Sequence, residues 1–130
     1  FKRRRENVEK LAQIKGLKVN YFDDFRQPDW ENFKGEDLAR CTMCYTVRLE
    51  KAAKLAAEGG FDAFTTTLLV SPYQKHELIK ELGEKFARQY GTRFYYRDFR
   101  PGFRQGQKEA KDLGLYRQKY CGCIISLSQR

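Results

Sequence analysis

Each amphipathic stretch of this chain stops at a glycine, and short apolar runs lie between the stretches. Val8, Leu11 and Ala12 fall at helical spacing, and Gly16 ends their run. Tyr45, Leu49, Ala52, Ala53 and Ala56 make one apolar face of a second helix. That helix is expected from near Asp37 or Cys41 to Glu58, with Gly59 and Gly60 as its stop. Leu78, Ile79, Leu82, Phe86 and Tyr90 form the stripe of a third helix, stopped by Gly91. Ser71, Pro72 and Gln74 give that helix the pattern of a capping box. A more polar helix, "RQGQKEAKDLG", ends at Gly114.

The runs between the helices read as strands: "LKVNYF", "FDAFTTTLLV" and "TRFYYRDF". A polar connection, "DDFRQPDWENFKGED", carries Phe25, Trp30 and Phe33, and "LYRQKYCGCIISL" reads as a loop into a final short element. The order αβα, βα, βα predicts an α/β fold with a parallel sheet. Residues 1–130 are expected to form a single α/β domain, long enough to bury a core without disulfides. Phe1 stands inside the first helix, and a first strand upstream of it would complete the alternation.

The formal charge of +9 predicts a polyanionic partner, RNA or DNA ahead of a membrane surface. No apolar run approaches the roughly 20 residues that span a bilayer, so no membrane partner is expected. Four cysteines in 130 residues are too sparse for a disulfide scaffold. They predict metal-bound or redox-active thiols in a reducing, cytoplasmic setting.

Those cysteines form two tight pairs, Cys41-x-x-Cys44 and Cys121-x-Cys123. With the first pair just inside a helix, both thiols would lie near the positive end of its dipole, which favours thiolate. Gly122 lets the backbone turn between the second pair. Thiolates suit zinc or an iron–sulfur cluster. Three other readings stand beside that one: buried cysteines acting as core hydrophobes, a structural zinc, and a dithiol at Cys41 and Cys44 alone. A C-x-C is less typical of zinc, and a dithiol leaves Cys121 and Cys123 unexplained.

Four blocks, "CTMCYTVRLEKAAKLA", "FDAFTTTLLVSP", "YYRDFRPGF" and "LGLYRQKYCGC", resemble epoxyqueuosine reductase of the QueH type, and the similarity runs along essentially the whole chain. The resemblance implies a three-layer fold like that of the adenine-nucleotide α-hydrolase group. It implies a cobalamin-independent oxidoreductase of queuosine biosynthesis that converts epoxyqueuosine to queuosine at the tRNA wobble position. An iron–sulfur cluster, expected as 4Fe-4S, and an additional iron are implied as cofactors, and an electron donor as a partner besides tRNA. Cys41, Cys44, Cys121 and Cys123 match the family's cysteine motifs, and a further adjacent pair is implied upstream of Phe1. The rival reading is a zinc-stabilised RNA-binding module without catalysis.

Removing an epoxide oxygen as water needs two electrons and two protons, and no ordinary side chain supplies the electrons. Asp98, Tyr116 and Tyr120 are candidate proton donors or orienting groups. Asp98 could instead pair with Arg97 or Arg100, and the tyrosines could simply pack. Arg100, Arg104, Arg117 and Lys119 are candidate phosphate contacts, with the Lys2–Arg5 run as the next choice, unless these charges form a solvated face. Tyr95, Tyr96, Phe99 and Phe103 could stack on loop bases or be buried. Thr65, Thr66 and Thr67 could line the substrate pocket or satisfy strand and turn hydrogen bonds. His76, the only histidine, is expected to face solvent and not to be a ligand.

Overall fold

The computed structural model describes residues 2–22 and 27–117. Two compact units divide the chain: Asn32–Pro101, and residues 1–31 together with 102–130.

The Asn32–Pro101 unit is built on two long helices. Helix α3 spans Asp37–Glu58, close to the limits that its apolar face predicts. Earlier in the chain, α1 covers Lys2–Lys15 and α2 covers Gln27–Glu31. Tyr45, Leu49, Ala53 and Ala56 are the buried face of α3, and the small alanines let its second half approach its neighbours closely. Helix α4, His76–Tyr90, buries Ile79, Leu82, Gly83, Phe86 and Ala87 against it. Leu78 and Tyr90, expected in the stripe, are half-buried at its edges. Gly91 takes φ +70°, a left-handed conformation that glycine adopts without strain, and so ends α4. Leu49, Leu69 and Ile79 are fully buried. Burying a side chain of that size stabilises by about 1.5–3 kcal/mol.

Strand β1 is Ala63–Phe64 and β2 is Arg93–Phe94. They pair in parallel, Ala63 opposite Arg93 and Phe64 opposite Phe94, with α4 in the connection between them. The α/β reading and the parallel pairing therefore hold, but helix dominates. The strands are much shorter than "FDAFTTTLLV" and "TRFYYRDF" suggest. Past Phe64, Thr66 accepts a hydrogen bond from the Leu68 N–H, and the chain winds into a 3₁₀ turn over Thr67–Val70. Tyr95 N–H still bonds to Phe64 O at 2.9 Å and Phe99 N–H to Leu69 O at 3.2 Å, but residues 95–99 form no regular ladder.

The start of α4 also differs from the expected capping box. Ser71 Oγ accepts from the Tyr73 N–H at 3.1 Å and closes a local turn. Gln74 turns away to accept from Tyr45, and the helix begins only at His76, with Lys75 at the N-cap.

In the other unit, α1 ends at Gly16, whose φ is +66°. "LKVNYF" is not a strand: residues 17–22 are irregular, and Leu17 and Phe22 are exposed. A strand needs a ladder partner, and among the described residues of this unit none is present. Helix α2 was not expected from the polar connection. Helix α5, Phe103–Asp112, is the predicted polar helix. Lys10 donates to Gly114 O at 3.3 Å, and Asn7 Oδ1 accepts from the Tyr116 N–H at 2.8 Å. Among the described residues no helix is long and apolar enough to cross a membrane.

Candidate functional site

Cys41 and Cys44 lie three residues apart on α3, so both thiols share one helix face. Both are half-buried, free of disulfides, and packed on one side against the apolar core. The helix begins at Asp37, however, which sets the pair beyond the first turn, where the dipole is felt. The charge that meets this pair is instead an ammonium: Lys75 Nζ donates to Cys41 Sγ at 3.3 Å. The backbone that carries Lys75 is tied to the same helix. Tyr45, one turn beyond Cys41 and only 2% exposed, accepts from the Lys75 N–H at 2.9 Å and donates to Gln74 Oε1 at 2.8 Å.

Asp98 stands after β2 in a fork with Arg100. Arg100 Nε donates to Oδ1 at 2.9 Å, Nη2 to Oδ2 at 2.6 Å, and the Arg100 backbone N–H to Oδ1 at 3.0 Å. Those hydrogen bonds hold the carboxyl at a pKa of about 2, below its ordinary 3.8. Asp98 is therefore an anion at neutral pH, suited to orienting a partner and not to donating a proton. The alternative of an ion pair with Arg100 is the arrangement present.

His76 does not face solvent; it is 6% exposed. Its Nε2 lies 3.0 Å from Ser71 O, and since a carbonyl only accepts, that nitrogen carries the proton. Its Nδ1 has no hydrogen-bond partner among the described residues and lies 3.9 Å from Asp98 Oδ1. Helical spacing carries the signal for this burial: positions 76, 79, 83 and 86 share the buried face of α4.

Among the described residues no three His, Cys, Asp or Glu side chains gather as a metal-binding group. Cys41 and Cys44 fit an iron–sulfur or zinc centre as soft donors, and would supply two of the four thiolates that such a centre takes. Cys121 and Cys123 lie outside the described residues.

The protein family described as epoxyqueuosine reductase QueH matches residues 1–129. The chain belongs to this family. It is 36% identical to the epoxyqueuosine reductase QueH of Thermotoga maritima, over all of this chain and 73% of that protein. It is 33% identical to the QueH of Dehalococcoides mccartyi, over 98% of this chain and 70% of that one. The QueH of Streptococcus pyogenes is 36% identical over 67% of this chain and 35% of its own length.

The other candidate residues of this QueH-family chain take varied positions. Thr65 Oγ1 donates to Tyr95 O at 2.8 Å, Thr66 caps the 3₁₀ turn, and Thr67 is exposed at its start. Tyr95 is 52% exposed, whereas Tyr96 and Phe99 pack against the core and Phe103 is half-buried. Arg104 is exposed on α5. Tyr116 and Arg117 are half-buried, and the Arg3 guanidinium lies 4.1 Å from the centre of the Tyr116 ring. Lys119 and Tyr120 lie outside the described residues.

Proposed function

We propose that this protein reduces epoxyqueuosine in tRNA to queuosine, without cobalamin, and that Cys41, Cys44, Cys121 and Cys123 hold an iron–sulfur cluster. The observation that carries the reading is the family match along residues 1–129, which includes both cysteine pairs. Bound there, the cluster would supply the electrons that no side chain can. An external electron donor must refill it. The additional iron belongs to the same reading, as does a cytoplasmic location, where tRNA and reduced thiols occur together.

The chain's own residues supply positioning and charge. Cys41 and Cys44 offer two sulfurs from one rigid helix, and Lys75 brings a cation to the first of them. Asp98, locked as a carboxylate by Arg100, orients hydrogen-bond donors of the substrate. We assign proton delivery to Tyr116 or Tyr120, since Asp98 holds no proton to give at neutral pH. The +9 charge favours tRNA phosphates, with Arg104, Arg117 and Lys119 ahead of Arg100, whose guanidinium is engaged by Asp98. Thr65, Thr66 and Thr67 line the substrate side of the same reading. The parallel β1–α4–β2 unit supports the three-layer fold of the adenine-nucleotide α-hydrolase group.

The test is anaerobic assay of the full-length protein on tRNA bearing epoxyqueuosine, with nucleosides read by mass spectrometry and iron counted per chain. Cys41→Ser and Cys44→Ser should each deplete iron and abolish product. Either variant with full iron and wild-type turnover would overturn the assignment.

A further inference from the structure

We infer that Lys75 is a positioning residue for the thiol site: its ammonium holds the Cys41 sulfur through an N–H···S hydrogen bond and so raises the reduction potential of the iron centre bound there. The inference rests on the iron–sulfur reading above and adds to it a residue outside both cysteine motifs.

Three observations carry it. First, Lys75 Nζ stands 3.3 Å from Cys41 Sγ, within hydrogen-bond reach of sulfur, and among the described residues no carboxylate competes for it in an ion pair. Second, lysine is a poor choice where it stands. It occupies the N-cap of α4, makes no side-chain cap bond there, and sets a positive charge at the positive end of the helix. Serine, threonine, aspartate or asparagine would stabilise that helix start better, and a locally unfavourable residue with a specific long-range contact points to a use elsewhere. Third, the lysine is held in place from below. Its N–H is fixed at 2.9 Å by the hydroxyl of buried Tyr45, which lies one helical turn from Cys41 on α3. One helix thus carries both the sulfur and the anchor that delivers its donor.

The chemistry follows from charge. Reducing an iron–sulfur centre by one electron increases the negative charge on its ligand sulfurs. A cationic N–H donor stabilises the more negative state and draws the potential upward, while Lys75 itself makes and breaks no covalent bond.

The experiment compares wild type, Lys75→Met and Lys75→Arg in the full-length protein, reconstituted anaerobically with iron and sulfide. Iron per chain, thermal unfolding, tRNA affinity and the midpoint potential are measured, the last by dithionite titration followed by electron paramagnetic resonance. The inference expects Lys75→Met to keep its fold and iron while its reduction equilibrium falls about tenfold, which is about 59 mV for a one-electron couple. Lys75→Arg should recover most of that shift. Tyr45→Phe should move the potential the same way by less. An unchanged potential in Lys75→Met overturns the inference, and weakened tRNA binding as its sole effect would make Lys75 a phosphate contact instead. A wild-type protein that takes up no iron would overturn the iron–sulfur reading itself, and this inference with it.

Discussion

In the Asn32–Pro101 unit, ten apolar side chains from α3, β1, the 3₁₀ turn and α4 interlock, and Leu49, Leu69 and Ile79 are sealed from solvent. In the unit formed by residues 1–31 and 102–130, Trp30 is the one buried side chain among the described residues, at 9% exposure. There Val8, Ile14, Leu17, Tyr21 and Phe22 are exposed, and polar ties link distant stretches: Lys10 to Gly114 O, Asn7 to the Tyr116 N–H, and Arg3 on the Tyr116 ring. The difference bears on chemistry. In the function proposed above, a ligand sulfur or an orienting carboxylate must hold its geometry, and Cys41, Cys44, Lys75 and Asp98 all stand in the unit with the interlocked core. The candidate phosphate contacts Arg104 and Arg117 belong to the other unit, where a long cation on a looser scaffold suffices.

The largest expected effect comes from cutting into each unit at a comparable apolar residue. Leu49→Ala should cost about 2–5 kcal/mol, because it leaves a cavity in a close-packed core. Ile14→Ala, at a position 47% exposed, should change stability by no more than about 0.5 kcal/mol. Denaturant unfolding of both variants measures this, and equal losses would erase the contrast between the units.

A smaller effect of opposite sign separates two glycines. A methyl group on Gly83 would meet the Phe94 ring 2.5 Å away, where α4 lies on β2. Gly83→Ala should destabilise by about 1–3 kcal/mol through overpacking. Gly106, inside α5, has nothing within 4 Å of such a methyl, so Gly106→Ala should stabilise by about 0.5–1 kcal/mol through helix propensity. Thermal unfolding of the two variants decides it; a stabilising Gly83→Ala would mean that the packed unit is looser than described.

The smallest effect sharpens the electrostatics of the packed unit. Asp98 titrates at about 2, below its ordinary 3.8. A depressed carboxyl contributes stability that is complete above its ordinary value and disappears as pH falls through about 2, so the fork with Arg100 should loosen only between those limits. Arg100→Gln should return the Asp98 midpoint toward 3.8, followed by NMR of the side-chain carboxyl. A midpoint that stays near 2 in that variant would show that Arg100 is not the cause.

By itself the sequence determined helices α1, α3 and α5 and the body and stop of α4, but neither α2 nor the start of α4. The apolar spacing that delimits α3 and the stripe of α4 are written within each segment, and so are the stops at Gly16 and Gly91, since a positive φ depends on the residue that occupies it. It determined the pairing of Cys41 with Cys44 on one helix face for the same local reason, and its motifs carried the family. Only the tertiary structure decided how far the strands run, because a strand exists by virtue of a ladder partner: "LKVNYF" has none among the described residues, and "FDAFTTTLLV" keeps two ladder residues before Thr66 caps a turn. It decided that Ser71 closes a turn while Gln74 serves Tyr45, and that Arg100 takes Asp98. It also decided that an ammonium from Lys75 reaches a sulfur 34 residues away. Contacts across such separations depend on how α3 and α4 pack, and no periodicity or spacing inside either segment encodes that packing.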